Sequence, residues 1–67
     1  MSNLKTLRIE RGYSQSKLAD LSGVNVRMIQ YYEQGVNDIN LAQGSTLYKL
    51  AQALECTMEE LLEKDSL

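Results

Sequence analysis

Three residues, Gly23-Val24-Asn25, do most to decide what this chain can fold into. Glycine takes the left-handed backbone conformation that ends a helix without a Cβ penalty. An asparagine side chain can accept a hydrogen bond from a free N–H in the first turn of the helix that follows it. With Asn25 as that cap, Val24 and Ile29 stand at the two positions of a hydrophobic staple, which fixes the angle of entry. One helix therefore stops at Gly23 and another starts at Asn25. Across so short a joint the two must cross steeply, because a long antiparallel hairpin has no room to form.

The second of these helices divides by face. Ile29, Tyr32 and Glu33 fall at i, i+3, i+4 and share one side; Arg27, Gln30, Tyr31 and Gln34 fall at i, i+3, i+4, i+7 and share another. The second stripe holds a cation, two amides and a phenol, with no acid. Arginine reads guanine through two acceptors, and glutamine reads adenine through an acceptor and a donor, when a helix lies in the major groove of DNA. Most polar helix faces are merely solvated. The steep turn in front sets this one apart, since a helix-turn-helix presents its second helix to a groove. Residues 15–35 thus point to sequence-specific binding of duplex DNA, with Val26 placed to touch a thymine methyl.

The rest of the chain narrows the class. Its 67 residues leave room for one small domain, spanning 1–67. A domain this size buries only about 60% of the surface its unfolded chain exposes, so its stability is modest unless it dimerises. No apolar run approaches the roughly 18 residues of a membrane span, and the N-terminus has no signal-peptide pattern. One cysteine excludes an internal disulfide, and a single thiol with no histidine suits a reduced, cytoplasmic protein. Proline and strand-like alternation are both absent, which predicts an all-α fold.

Ser2 and Asn3 offer N-caps for a first helix ending near Arg11, with Gly12 beyond it. Leu4, Leu7, Arg8 and Arg11 form its stripe. An arginine in an apolar stripe either reaches solvent or needs a partner, because an unpaired buried charge costs several kcal/mol. Glu33, on the inward face of the reading helix, is the candidate. Ser14 can cap the second helix, which leaves Gln15 at its first position, where free N–H groups and the helix dipole favour a phosphate. Leu18, Ala19 and Leu21 supply its inner face. Residues 36–44 have no regular pattern beyond Ile39 and Leu41, which are expected to tuck into the core. Ser45 or Thr46 starts a fourth helix with a core stripe of Leu47, Leu50, Ala51 and Leu54. Thr57 and Glu60 form a capping box, with Cys56 and Leu61 flanking it as a staple, for a fifth helix running to about Lys64.

With these residues in place the chain resembles the phage repressor and Cro (XRE) family of helix-turn-helix proteins. Gln15, Ala19, Gly23, Val24 and Ile29 carry the motif at its spacing. Leu4, Leu7, Arg8 and Gly12-Tyr13-Ser14-Gln15 precede it, Glu33 and Gly35 close it, and residues 47–54 continue it, so about 3–62 are covered. The resemblance implies a compact five-helix, lambda-repressor-like domain with the motif at helices 2 and 3. It implies an Arg8–Glu33 ion pair, and Gln15 as a phosphate clamp that sets register without reading sequence. Members of the family carry basic residues after the reading helix and a loop about three residues shorter. This chain offers only Asn37, Asn40, Gln43 and backbone N–H groups there.

Charge divides the chain. Residues 1–35 carry five cations against three carboxylates, net +2, and residues 36–67 carry two against six, net −4. Local potential rather than net charge steers association with DNA, but few cations mean few displaced counterions and a shallow salt dependence. One reading helix covers only a few base pairs, whereas two related by a two-fold read half-sites about 34–36 Å apart. A homodimer on an inverted-repeat operator is therefore expected, paired through the fourth and fifth helices with Tyr48 and the Leu67 region. The reading is a transcriptional regulator, as a repressor. Val26, Arg27, Gln30 and Tyr31 read bases; Arg11, Ser14, Gln15, Asn25 and Asn37 hold phosphates. No other domain is attached, so no small-molecule ligand is expected. The rival is an antitoxin- or antirepressor-like module that keeps the fold and binds a protein through its acidic half. An enzyme is disfavoured: the chain has no histidine, no glycine-rich phosphate loop and no metal-ligand cluster, so no cofactor is implied.

Overall fold

Four of the five α-helices described start on a short polar side chain that takes up a free backbone N–H. The computed structural model describes residues 2–63. Helix α1 (Asn3–Glu10) is capped by Ser2, whose hydroxyl accepts from the Lys5 N–H. Helix α2 (Gln15–Ser22) is capped by Ser14 and α3 (Val26–Gln34) by Asn25. Each such cap contributes about 1 kcal/mol. Gly23 and Gly35 end α2 and α3 in the left-handed region, at φ 75° and 79°, where a β-carbon would be strained. Helix α5 (Met58–Leu61) opens on the full capping box of Thr57 and Glu60. The Thr57 backbone N–H, and then its hydroxyl, hold the Glu60 carboxyl below the ordinary glutamate range. The sequence pattern carries α5 to about Lys64, but the helix stops at Leu61 because Leu62 turns extended, at φ −71° and ψ 140°; Lys64 and Leu67 themselves lie outside the described residues.

Helix α4 departs from expectation. It spans Gly44–Leu54 and begins on Gln43, which makes no side-chain capping bond, rather than on Ser45 or Thr46. Ala42 and Gln43, both extended, link the 3-10 turn Ile39–Leu41 to α4, and the Gln43 carbonyl already accepts from the Leu47 N–H. The last turn of α4 ends on Glu55, which holds a left-handed φ of 54° without being glycine.

Six side chains are fully buried and come from every α-helix: Leu4, Leu18, Ile29, Leu50, Leu54 and Leu61. Helix α2 lies between α3 and α4, while α5 closes the domain against α4 and α1. Two residues expected inside are not. Leu21 is exposed, because it lies about 60° round the α2 surface from Leu18, towards solvent. Leu41 is exposed although Ile39 is buried. In an extended segment residues 39 and 41 would share a face; in a turn of three residues per revolution they do not. Among the described residues no helix is long and apolar enough to cross a membrane.

The segment between α3 and α4 is irregular but tied down. Asp38 caps the 3-10 turn through the Asn40 N–H at 2.9 Å. The Asn40 side chain then pairs with the backbone of Glu63 in both directions, donating to its carbonyl at 2.7 Å and accepting from its N–H at 2.9 Å. Asn3 donates to the Leu62 carbonyl at 2.7 Å from the other side.

Candidate nucleic-acid interface

Helix α3 is fixed to the body along one side and open along the other. Ile29 and Tyr32 are buried in the core. Glu33 forms a two-pronged pair with Arg8, Nε to Oε2 at 2.7 Å and Nη2 to Oε1 at 3.0 Å, which ties α3 to α1. The remaining Arg8 nitrogen donates to the Tyr13 carbonyl at 2.7 Å. The side chains are 11% and 3% exposed, so the alternative in which Arg8 reaches solvent is excluded. The hydrogen bonds that Arg8 donates to Glu33 raise the Arg8 pKa, against the opposing effect of burial.

Gln15 joins this network, which the sequence pattern does not reveal. Its Nε2 donates to Glu33 Oε1 at 3.0 Å. The same carboxylate oxygen therefore holds a core arginine and the first side chain of α2. Eighteen residues separate the partners, so no local spacing announces the contact.

The front of α3 is uncommitted. Arg27 and Gln34 are exposed, and Val26, Gln30 and Tyr31 are half-buried. Among the described residues the side chains of Arg27, Gln30, Tyr31 and Gln34 make no hydrogen bond, so their donors and acceptors are open to a ligand. The caps retain capacity too. Asn25 Oδ1 accepts from the Arg27 N–H at 2.7 Å, leaving the amide N–H groups of Asn25 free to donate. Ser14 Oγ accepts from the Lys17 N–H at 3.0 Å and keeps its own proton. Asn37 is drawn back along α3, with its backbone N–H on the Tyr31 carbonyl at 3.2 Å and its amide 4.0 Å from the Met28 sulfur. A shallow groove lined by Ser16, Ala19, Asp20, Val24 and Val26 runs between α2 and the start of α3.

Arg11 is the expected phosphate ligand that the structure engages elsewhere. Its guanidinium lies on the C-terminal end of α4, 3.3 Å from the Glu55 carbonyl and 3.7 Å from the Glu55 carboxylate. With Arg8 and Arg11 both paired, Lys17 and Arg27 are the cations left on α2 and α3. Cys56 is half-buried; burial, and then Glu60, push its thiol pKa up while Arg11 pulls the other way. That setting fits packing rather than reactivity.

No curated protein and no solved structure matches the chain significantly. A helix-turn-helix family model does match, over residues 4–61, which takes in every helix described except the first residue of α1. The matched span includes the α2–α3 unit, the Arg8–Glu33 pair that braces it and the open face of α3. The chain belongs to the helix-turn-helix family of the XRE type, a family of DNA-binding regulators.

Proposed function

We propose that the protein is a repressor that reads an inverted-repeat operator as a homodimer, with α3 in the major groove of each half-site. Arg27, Gln30 and Tyr31 contact base edges and Val26 meets a thymine methyl. Ser14, Gln15, Asn25 and Asn37 grip phosphates through neutral donors, and Arg11 adds its charge from beside Glu55. The observation that carries this reading is the contrast between the two sides of α3. Ile29, Tyr32 and Glu33 are locked to the body, whereas four polar side chains opposite them have no partner among the described residues. Unspent hydrogen-bonding capacity on a braced helix is what base readout requires.

The test is selection from a random pool of duplex DNA at low salt, followed by sequencing of what stays bound. Enrichment of a repeated word in inverted orientation, with centres about one helical turn apart, is the expected result. Absence of any enriched word, at any protein concentration, would refute sequence-specific binding. It would shift attention to a protein partner for the acidic half.

A further inference from the structure

Resting on that reading, in which Gln15 grips a phosphate, we infer that Glu33 is a positioning residue for the grip. It holds the Gln15 amide still before DNA arrives, with one N–H on its own carboxylate and the other free. The Gln15 Nε2 lies 3.0 Å from Glu33 Oε1 and donates to it. An amide nitrogen carries two N–H donors, so the second remains for an anion. Turned over, the amide would set its carbonyl oxygen against a carboxylate oxygen, and the two would repel. One orientation is therefore held.

The carboxylate does not need Gln15 for its own sake. Arg8 already donates to both of its oxygens, at 2.7 and 3.0 Å, and balances its charge. A phosphate approaching Gln15 thus meets a donor backed by a neutral pair rather than by a bare anion. Asn25 is held in a comparable way, since its Oδ1 accepts from the Arg27 N–H at 2.7 Å and its own N–H groups stay free. Asn37, with its amide 4.0 Å from a sulfur, is held only loosely. Lys17 and Arg27 are the cations of α2 and α3 without a partner among the described residues. Neutral amides therefore carry much of the grip on the DNA backbone, and an amide already ordered loses less freedom on binding.

The size of the effect follows from that freedom. Ordering a flexible side chain at an interface weakens binding by about two- to ten-fold. Glu33 removes this penalty once in each half-site. The effect is the same for every sequence, because a phosphate contact reads no base.

Two measurements test the inference. The first is nitrogen relaxation of the side-chain amides in the free wild-type protein. The Gln15 amide should have an order parameter near the rigid-backbone value of about 0.85, against less than about 0.6 for Gln34, which is exposed. A Gln15 amide as mobile as that of Gln34 would overturn the inference and leave the DNA reading intact. The second is a cycle of variants on the duplex that wild type selects from a random pool. Arg8→Met with Glu33→Leu removes the carboxylate without changing net charge, and a melting curve sets a temperature at which each variant is folded. That variant should bind about two- to ten-fold more weakly per half-site, with its order of preferred words unchanged. In a Gln15→Ala background the same two substitutions should change binding by nothing measurable. An equal loss in both backgrounds refutes positioning, since Glu33 would then act through the fold alone. If the double variant does not fold, the amide measurement decides. Wild type selecting no word removes the DNA reading, and this inference with it.

Discussion

Replacing Glu33 by alanine should take this domain to the edge of unfolding without altering any group offered to DNA bases. The change strands the Arg8 guanidinium with the Tyr13 carbonyl as its one acceptor and leaves the Gln15 amide without its acceptor. Removing one partner of a buried ion pair costs about 3–5 kcal/mol. The Arg8 side chain is 11% exposed, so some water reaches it, and the lower end, about 3 kcal/mol, applies. A chain of 67 residues holds roughly 3–10 kcal/mol in total. In a domain this small each kcal/mol moves the midpoint by about 4–8 °C, so Glu33→Ala should melt about 12–24 °C below wild type. Thermal and urea unfolding followed by circular dichroism measure it. A fall of less than about 4 °C would refute the reasoning. The double variant Arg8→Met, Glu33→Leu separates the causes: removing both charges should recover much of the loss. If it melts as low as Glu33→Ala, lost packing rather than a stranded charge is responsible. The Arg8 pKa is raised in the fold, so its share of the stabilisation is complete below the ordinary arginine range and is lost only in strong alkali.

Arg27→Ala should relax preference at one base pair at a cost of about 1–3 kcal/mol. Equal weakening on every sequence, measured by competition binding, would make Arg27 a phosphate contact instead. With Arg11 on a phosphate and Lys17 and Arg27 as the cations without a partner among the described residues of α2 and α3, a dimer should displace about six counterions. Its log–log salt slope should then be about −5; a slope near −9 would mean that further charges hold phosphates. The Glu60 carboxyl, held below its ordinary pKa by Thr57, supports the start of α5 above the glutamate range and loses that role as pH falls through its lowered value. Carbon-detected titration should place it below an unstructured glutamate, and Thr57→Ala, which removes the hydroxyl but keeps the backbone N–H, should raise it only part of the way back.

What could be read from the sequence was local. Ser2, Ser14, Asn25 and Thr57 each cap the helix that follows because the partner N–H lies two or three residues away. The Arg8–Glu33 pair was legible because a charge in an apolar stripe demands an opposite one. Gln43 was not legible as the start of α4. Serine and threonine are the better caps, but after the 3-10 turn the cap position falls on Gln43, two residues before Ser45 and three before Thr46. The fate of Leu41 depended on the same turn. Asp38 was the signal for it, since an aspartate capping its own i+2 N–H closes a turn rather than extending a strand. Contacts such as Gln15 with Glu33, Arg11 with Glu55 and Asn40 with Glu63 join polar groups distant in sequence. Nothing in periodicity or spacing encodes which amide finds which backbone.

The shared carboxylate of Glu33 has a consequence for genetics. With Arg27 in the base-reading role proposed for it, a search for loss of regulation would return lesions at Arg8, Glu33 and Arg27 with the same loss of function at high temperature. Cooling distinguishes them: alleles at the buried pair regain function as the folded population recovers, while an Arg27 allele stays defective. Second-site suppressors divide the same way. Any change that stabilises the fold rescues the first group, and only a changed operator rescues the second.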